Sequence, residues 1–204
     1  RGILPKVADW SGTSAPTMAF GQGYSLTAMQ ATSIFATIAN DGVRVSPTVI
    51  AGTRDASGNF TPAPGRTSQR VVSSETAKVM RLMMESVVSG NGTAPSAAIP
   101  GYRVAGKTGT AQRIDDTCGC YRGYTASFIG FAPADNPAYV ISVTIQDPKG
   151  MHWGGVLGGP VFKKVMSFVL QSRHIAPTGT AFEPIPLDKK ALAAKKAQDA
   201  TANN

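Results

Sequence analysis

Cysteine and histidine are scarce in this chain, with two of each in 204 residues, and acid is short, with 12 Asp and Glu against 20 Lys and Arg. A structural zinc site takes about four thiolate, imidazole or carboxylate ligands. Neither His152 and His174 nor the singly spaced Cys118 and Cys120 has metal-type spacing, so no metal and no cofactor is expected. A Cys118–Cys120 disulfide is expected only if the chain is exported to an oxidising compartment. No stretch approaches 18 consecutive apolar residues, so no membrane-spanning helix is read from the sequence. The opening Arg1-Gly-Ile-Leu-Pro5 has neither a start methionine nor the apolar run of a signal peptide, and is read as part of a mature or excised stretch. The shortage of acid leaves a formal charge of +8. Four of the cations sit in Lys189-Lys190 and Lys195-Lys196, and the others do not interleave with aromatics as a nucleic-acid surface would. Nucleic acid is therefore not an expected partner; a weak attraction to anionic wall polymers or lipid surfaces is as far as the charge goes.

What is present is an ordinary globular composition, 42% apolar, in a recognisable order. The first twenty residues, rich in Gly, Ser, Thr and Pro, read as loop. Thr27 is a helix N-cap candidate, and Met29, Ile34, Phe35 and Ile38 mark one face of a helix over 28–40, stopped by Asn40-Asp41-Gly42. A short strand over 43–50 is interrupted by Pro47, and Asp55 to Asn59 reads as a hairpin tip. A second helix starts at Ser73 with Glu75 in its first turn and ends by Gly90; its methionines Met80, Met83 and Met84 are read as core filling. Strands follow over 103–112, 125–131 and 139–145, the last carried by Val140, Ile141, Val143, Thr144 and Ile145. A polar loop over 115–123 and the turn at Asp135-Asn136-Pro137 join them with no helix between, so they are expected to be antiparallel neighbours. A Gly-rich approach, Gly154 to Gly159, leads into Pro160, which suits the first turn of a last helix with Val161, Phe162, Val165, Phe168 and Val169 as its apolar stripe. From 175 the chain turns Pro-, Ala- and Lys-rich, and 175–204 is expected to be a disordered tail after a body over 1–174.

The segment from Gly101 to Gln112 fits two motifs. Gly101 to Thr108 satisfies G-x-x-x-x-G-K-[ST], the phosphate-cradling loop of nucleotide triphosphatases. Lys107-Thr108-Gly109 is also the K-T-G box of penicillin-binding proteins and serine β-lactamases. A phosphate loop must follow a buried strand and open a helix, whose N-terminal N–H groups hold the phosphates. Here Gly101 follows Ala94-Pro-Ser-Ala-Ala-Ile-Pro100, and the residues after Lys107 are poor helix formers, so the phosphate reading is set aside. The K-T-G reading needs a strand. In extended chain Lys107 and Gly109 face one side while Thr108 and Thr110 face the other, and a sheet edge there could receive a peptide as an added strand.

More of the chain supports the second reading. Gly21-Gln-Gly-Tyr-Ser-Leu-Thr-Ala-Met-Gln30, Ala39-Asn-Asp-Gly42, Gly92-Thr-Ala94, Val104-Ala-Gly-Lys-Thr-Gly-Thr-Ala-Gln112, Ser127-Phe-Ile-Gly-Phe-Ala-Pro133 and Gly159-Pro-Val-Phe162 occur in one order. With them the chain resembles the C-terminal half of a class B penicillin-binding protein transpeptidase domain. The Cys118-Gly-Cys120 loop and the Ala132 to Pro137 turn look most like actinobacterial cell-division members. The implied fold is α+β, part of the penicillin-binding protein/serine β-lactamase-like fold, with helices packed on an antiparallel sheet.

The resemblance implies a peptidoglycan D,D-transpeptidase that cross-links stem peptides through an acyl-serine. Its expected catalytic residues here are Lys107 and Thr110; Thr108, Gly109 and Thr110 are its expected substrate contacts. The family's S-x-x-K is absent from all 204 residues, and Ser57-Gly-Asn59 and Ser89-Gly-Asn91, which fit S-x-N, lie in turn contexts. Nucleophile and base are therefore expected upstream, in the same protein but outside this chain. Expected partners are stem peptides, β-lactams as covalent inhibitors of the intact protein, its upstream part, and cell-division proteins. The expected location is the extracytoplasmic face of the membrane, with an N-terminal anchor outside the chain. A β-lactam sensor, D,D-carboxypeptidase or β-lactamase would share the K-T-G strand, and an inactive division scaffold is the alternative of another class.

Overall fold

The computed structural model describes residues 2–115 and 117–183, with the isolated positions 193 and 201. Its centre is a three-stranded antiparallel sheet, β5 (Ala105–Asp115), β6 (Cys120–Ala132) and β7 (Tyr139–Gln146), in the order β5-β6-β7. The three strands and their antiparallel order are as the short links require, but β5 and β6 run further than the sequence suggests. The loop expected over 115–123 closes to a tight turn, with Asp115 opposite Cys120.

Helix α4 (Gly154–Ser172) covers one face of the sheet, and α2 (Ala28–Ala39) and α3 (Ser74–Ser86) cover the other. Because side chains alternate along a strand, the two faces feed two cores. Phe128 and Ala132 pack with Phe162, Met166 and Leu170 of α4, and the Phe128 and Phe162 rings meet edge-on at 4.9 Å. On the other face Ala105 and Phe131 pack with Met84, Phe35 and Ile38. Helix α2 starts as expected, with a reciprocal cap: Gln30 donates its N–H to Thr27 Oγ1 at 3.2 Å, and Thr27 its N–H to Gln30 Oε1 at 3.0 Å. Ser73 caps α3 from one side, its hydroxyl oxygen accepting the Thr76 N–H at 3.1 Å.

Several expectations need correction. The first twenty residues are not all loop: α1 (Ser14–Ala19) is a single turn and a half, along which Thr17 Oγ1 donates back to Thr13 O at 2.9 Å. The 43–50 strand contracts to β1 (Val43–Val45), which pairs with β4 (Ser68–Arg70). The hairpin around Asp55 to Asn59 is present, between β2 (Gly52–Arg54) and β3 (Phe60–Pro62). Of the methionine row only Met84 is buried; Met80 and Met83 are exposed. Helix α4 opens at Gly154, six residues before Pro160, and buries Phe162, Met166 and Leu170, leaving Val161, Val165 and Phe168 exposed. The tail expected from 175 begins as packed chain. Tyr102 donates its hydroxyl to Ile175 O at 2.6 Å, and the Thr178 and Thr180 hydroxyls both donate to Asp135. The rest of that tail falls almost wholly outside the described residues.

Candidate active site

Strand β5 is an edge. Among the described residues only β6 pairs with it, so every second backbone N–H and C=O along it points out of the sheet. Gly106, the second glycine of the phosphate-loop pattern, lies buried inside this strand, where a Cβ would stand 2.5 Å from the Phe128 ring. No helix follows Lys107, which disposes of the phosphate reading.

The alternation along β5 is the expected one. Lys107 lies opposite Ile129 and is exposed; its Nζ donates to the Thr108 carbonyl at 3.0 Å. None of the ion pairs among the described residues involves it. Gly109 shares the Lys107 face, where a Cβ would meet Ser127 Oγ at 2.4 Å. Thr108 and Thr110 turn the other way, toward the start of α4. Thr110 Oγ1 accepts the Gly154 N–H at 3.2 Å, and Thr108 Oγ1 lies 3.1 Å from Thr93 Oγ1. The four residues singled out in the sequence thus share one short stretch of edge, lysine on one side and two hydroxyls on the other.

The close seating of α4 makes this possible. A Cβ on Gly154 would stand 2.2 Å from both Gly109 O and Ser127 O, and one on Gly155 2.1 Å from Thr93 O. Only glycine lets the helix start so near the strand, and its first N–H then reaches Thr110. The Gly154-Gly155 pair was visible in the sequence but read as an approach to the helix. Thr93 was visible only as part of Gly92-Thr-Ala94, with no role attached.

Beyond Gln112 the β5–β6 hairpin continues as a rim. Its register shifts between Gln112 and Ile114, with Gly123 at φ +74°, and Cys118 and Cys120 are joined by a disulfide at its tip. The Asp115 carboxyl is held below the usual carboxylate range, first by the Thr117 hydroxyl and backbone N–H and further by Arg122. On the α4 side Tyr124 stacks on His152 with ring centres 4.1 Å apart, and Trp153 lies against His152 at 4.9 Å. Sequence reasoning found no sign of this aromatic group, because its members come from β6 and from the loop before α4. Ser57 and Asn59 donate their N–H groups to the Asp55 carboxylate in the β2–β3 turn, and Ser89 donates its hydroxyl to Ser86 O after α3. Both S-x-N matches are turn chemistry.

An antiparallel sheet lies between helices and carries Lys-Thr-Gly on its open edge. Residues 1–167 match the penicillin binding protein transpeptidase domain, and the chain belongs to that family. It is similar to penicillin-binding protein PbpB of Mycolicibacterium smegmatis, 42% identical over 186 residues, covering 86% of this chain and 28% of that protein. It is likewise similar to peptidoglycan D,D-transpeptidase FtsI of Escherichia coli, 34% identical, covering 86% of this chain and 28% of that protein. Among solved structures, penicillin binding protein 3 from Mycobacterium tuberculosis complexed with ampicillin superposes with a TM-score of 0.81 at 38% identity, covering 92% of this chain and 44% of that one. The chain thus spans less than a third of the length of these two curated relatives. No helix among the described residues is long and apolar enough to cross a membrane.

Proposed function

We propose that this chain forms one wall of a peptidoglycan D,D-transpeptidase active site and that β5 is that wall. The observation that carries the reading is the arrangement of the edge: among the described residues, an exposed Lys107 without an ion pair lies on one side, Thr108 and Thr110 lie on the other, and no strand pairs beyond it. A serine from the upstream part of the protein attacks the D-Ala-D-Ala carbonyl, and the peptide bond breaks. D-alanine leaves with the proton it needs, and an acceptor amine then displaces the serine from the acyl group. Lys107 supplies positive charge and a path for the proton beside that serine. Thr108 and Thr110 donate hydrogen bonds to the terminal carboxylate of the stem peptide, and Gly109 lets its backbone come close. The Thr110 N–H is one oxyanion donor, the kind of group whose loss costs about 3–4 kcal/mol in the transition state.

The carboxylate of a β-lactam fits the same two hydroxyls, consistent with the ampicillin complex of the relative. Relatives named as peptidoglycan D,D-transpeptidases favour transfer to an amine over hydrolysis, and the reading extends to septum synthesis with cell-division proteins as partners. Such a domain works outside the membrane, anchored by a segment beyond this chain.

The test is Lys107→Ala in the intact protein, read by covalent labelling with a fluorescent penicillin. Labelling rate should fall by about a hundredfold or more, with the melting temperature within a few degrees of the parent. Near-normal labelling would remove Lys107 from the mechanism.

A further inference from the structure

Thr93 stands at the lip of the candidate cleft, exposed, on a segment fixed from several sides. Ala94 donates its N–H to Val87 O at 2.9 Å, and the Ser96 hydroxyl donates to Gly155 O at 3.0 Å. Gly92, one residue earlier, sits where a Cβ would be 2.2 Å from Val87 O, and the Thr93 carbonyl closes on Gly155. A side chain held by so much backbone has little freedom left, and its hydroxyl lies 3.1 Å from that of Thr108.

A threonine hydroxyl has one hydrogen to give and two lone pairs to offer. A carboxylate only accepts. If Thr108 gives its hydrogen to a carboxylate, its contact with Thr93 must run the other way, with Thr93 donating to Thr108 Oγ1. Thr110 is arranged likewise: its oxygen accepts the Gly154 N–H at 3.2 Å, so its hydrogen is left to point into the cleft. Each hydroxyl on the α4 side of β5 therefore takes a hydrogen bond from behind and can pass one forward, and such chains strengthen one another.

We propose that Thr93 is a positioning residue that turns the Thr108 hydroxyl into a donor aimed at the carboxylate end of the ligand. This rests on the reading of Thr108 as a carboxylate contact. The test uses the intact protein and two acylating probes, benzylpenicillin and its methyl ester, which differ only at that carboxylate, capped and uncharged in the ester. Thr93→Val keeps the shape and loses the hydroxyl; Thr93→Ser keeps the hydroxyl. Thr93→Val should acylate about tenfold more slowly with the acid and within about twofold of the parent with the ester. Thr93→Ser should match the parent with both. In a Thr108→Ala background Thr93→Val should have no further effect. A merely structural Thr93 would slow both probes alike, and equal behaviour of Val and Ser, or a full effect on top of Thr108→Ala, would overturn the proposal. If Thr108→Ala itself leaves the acid-to-ester ratio unchanged, the carboxylate role of Thr108 fails, and this inference with it.

Discussion

Glu85 is 4% exposed, and its carboxylate takes two N–H groups from Arg103, at 2.8 and 2.7 Å. The pairing raises the already high pKa of Arg103. Arg103 lies two residues before β5, so this fork ties the C-terminal half of α3 to the start of the strand that carries Lys107. Removing one partner of a buried pair leaves the other charged and unsolvated, at a cost of about 3–5 kcal/mol. Arg103→Ala should therefore lose about that much in urea unfolding of the intact protein, and Glu85→Leu combined with Arg103→Met should recover most of it. Asp135 sits beside the same guanidinium, 3.8 Å from it. Burial pushes its carboxyl up, but the hydroxyls of Thr178 and Thr180 and then Arg103 outweigh that and hold it below the ordinary range. A carboxyl with a lowered native pKa lends stability above its unfolded value of about 3.9, and that stability is lost as pH falls through the lower native value. Hydrogen exchange over 177–183 should thus speed up as pH drops below about 4, beyond the intrinsic pH effect, and Asp135→Asn should abolish the extra change. None of this cluster was legible in the sequence: Glu85, Arg103, Asp135 and Thr180 are far apart along the chain, and composition alone placed Thr180 in a disordered tail.

The elements that sequence reasoning placed well carry their signals locally. Thr27 and Gln30 cap α2 from within one turn, and the β-branched run at 140–145 needs no distant partner to read as a strand. The K-T-G edge was legible for a related reason, since three adjacent residues with alternating roles are visible without the fold. Helix α4 is the counterexample. Glycine costs about 1 kcal/mol per helical position relative to alanine, so Gly154 to Gly159 read as an approach rather than a helix. The structure makes these residues helical because their missing side chains admit the sheet: a Cβ on Gly158 would stand 2.8 Å from the Phe128 Cβ. Tertiary contact overrides propensity here, and the same contact delivers the Gly154 N–H to Thr110. Gly155→Ala should therefore cost both stability and acylation despite favouring the helix locally. The added methyl meets the Thr93 carbonyl, a backbone atom that cannot swing aside. In the intact protein, a lowered melting temperature with a fall in penicillin labelling of about tenfold or more is expected; unchanged labelling would show that α4 does not need its close seat.

At the scale of the molecule, exposed apolar side chains gather on the outer faces of the helices. Phe168 is 69% exposed on α4, with Val161 and Val165 beside it, and α2 and α3 leave Met29, Ile34, Met80 and Met83 open. Soluble monomers seldom leave contiguous apolar patches of this kind uncovered, and the spacing that made these residues look like core in the sequence is sound if another part of the protein covers them. The sequence carries no S-x-x-K, and both of its S-x-N matches lie in turns. On the proposed reading recognition and reaction separate physically: this chain offers the carboxylate-binding edge, and the serine that attacks comes from elsewhere in the intact protein. The isolated 204-residue chain should take up no stable covalent fluorescent penicillin and should bind an apolar dye more strongly than the intact protein does. Co-expressed with the segment that precedes it in the intact protein, it should regain labelling while the dye signal falls, because the missing wall brings the nucleophile and covers the apolar faces together. Stable labelling of this chain alone would place a nucleophile within it and overturn that division of the site.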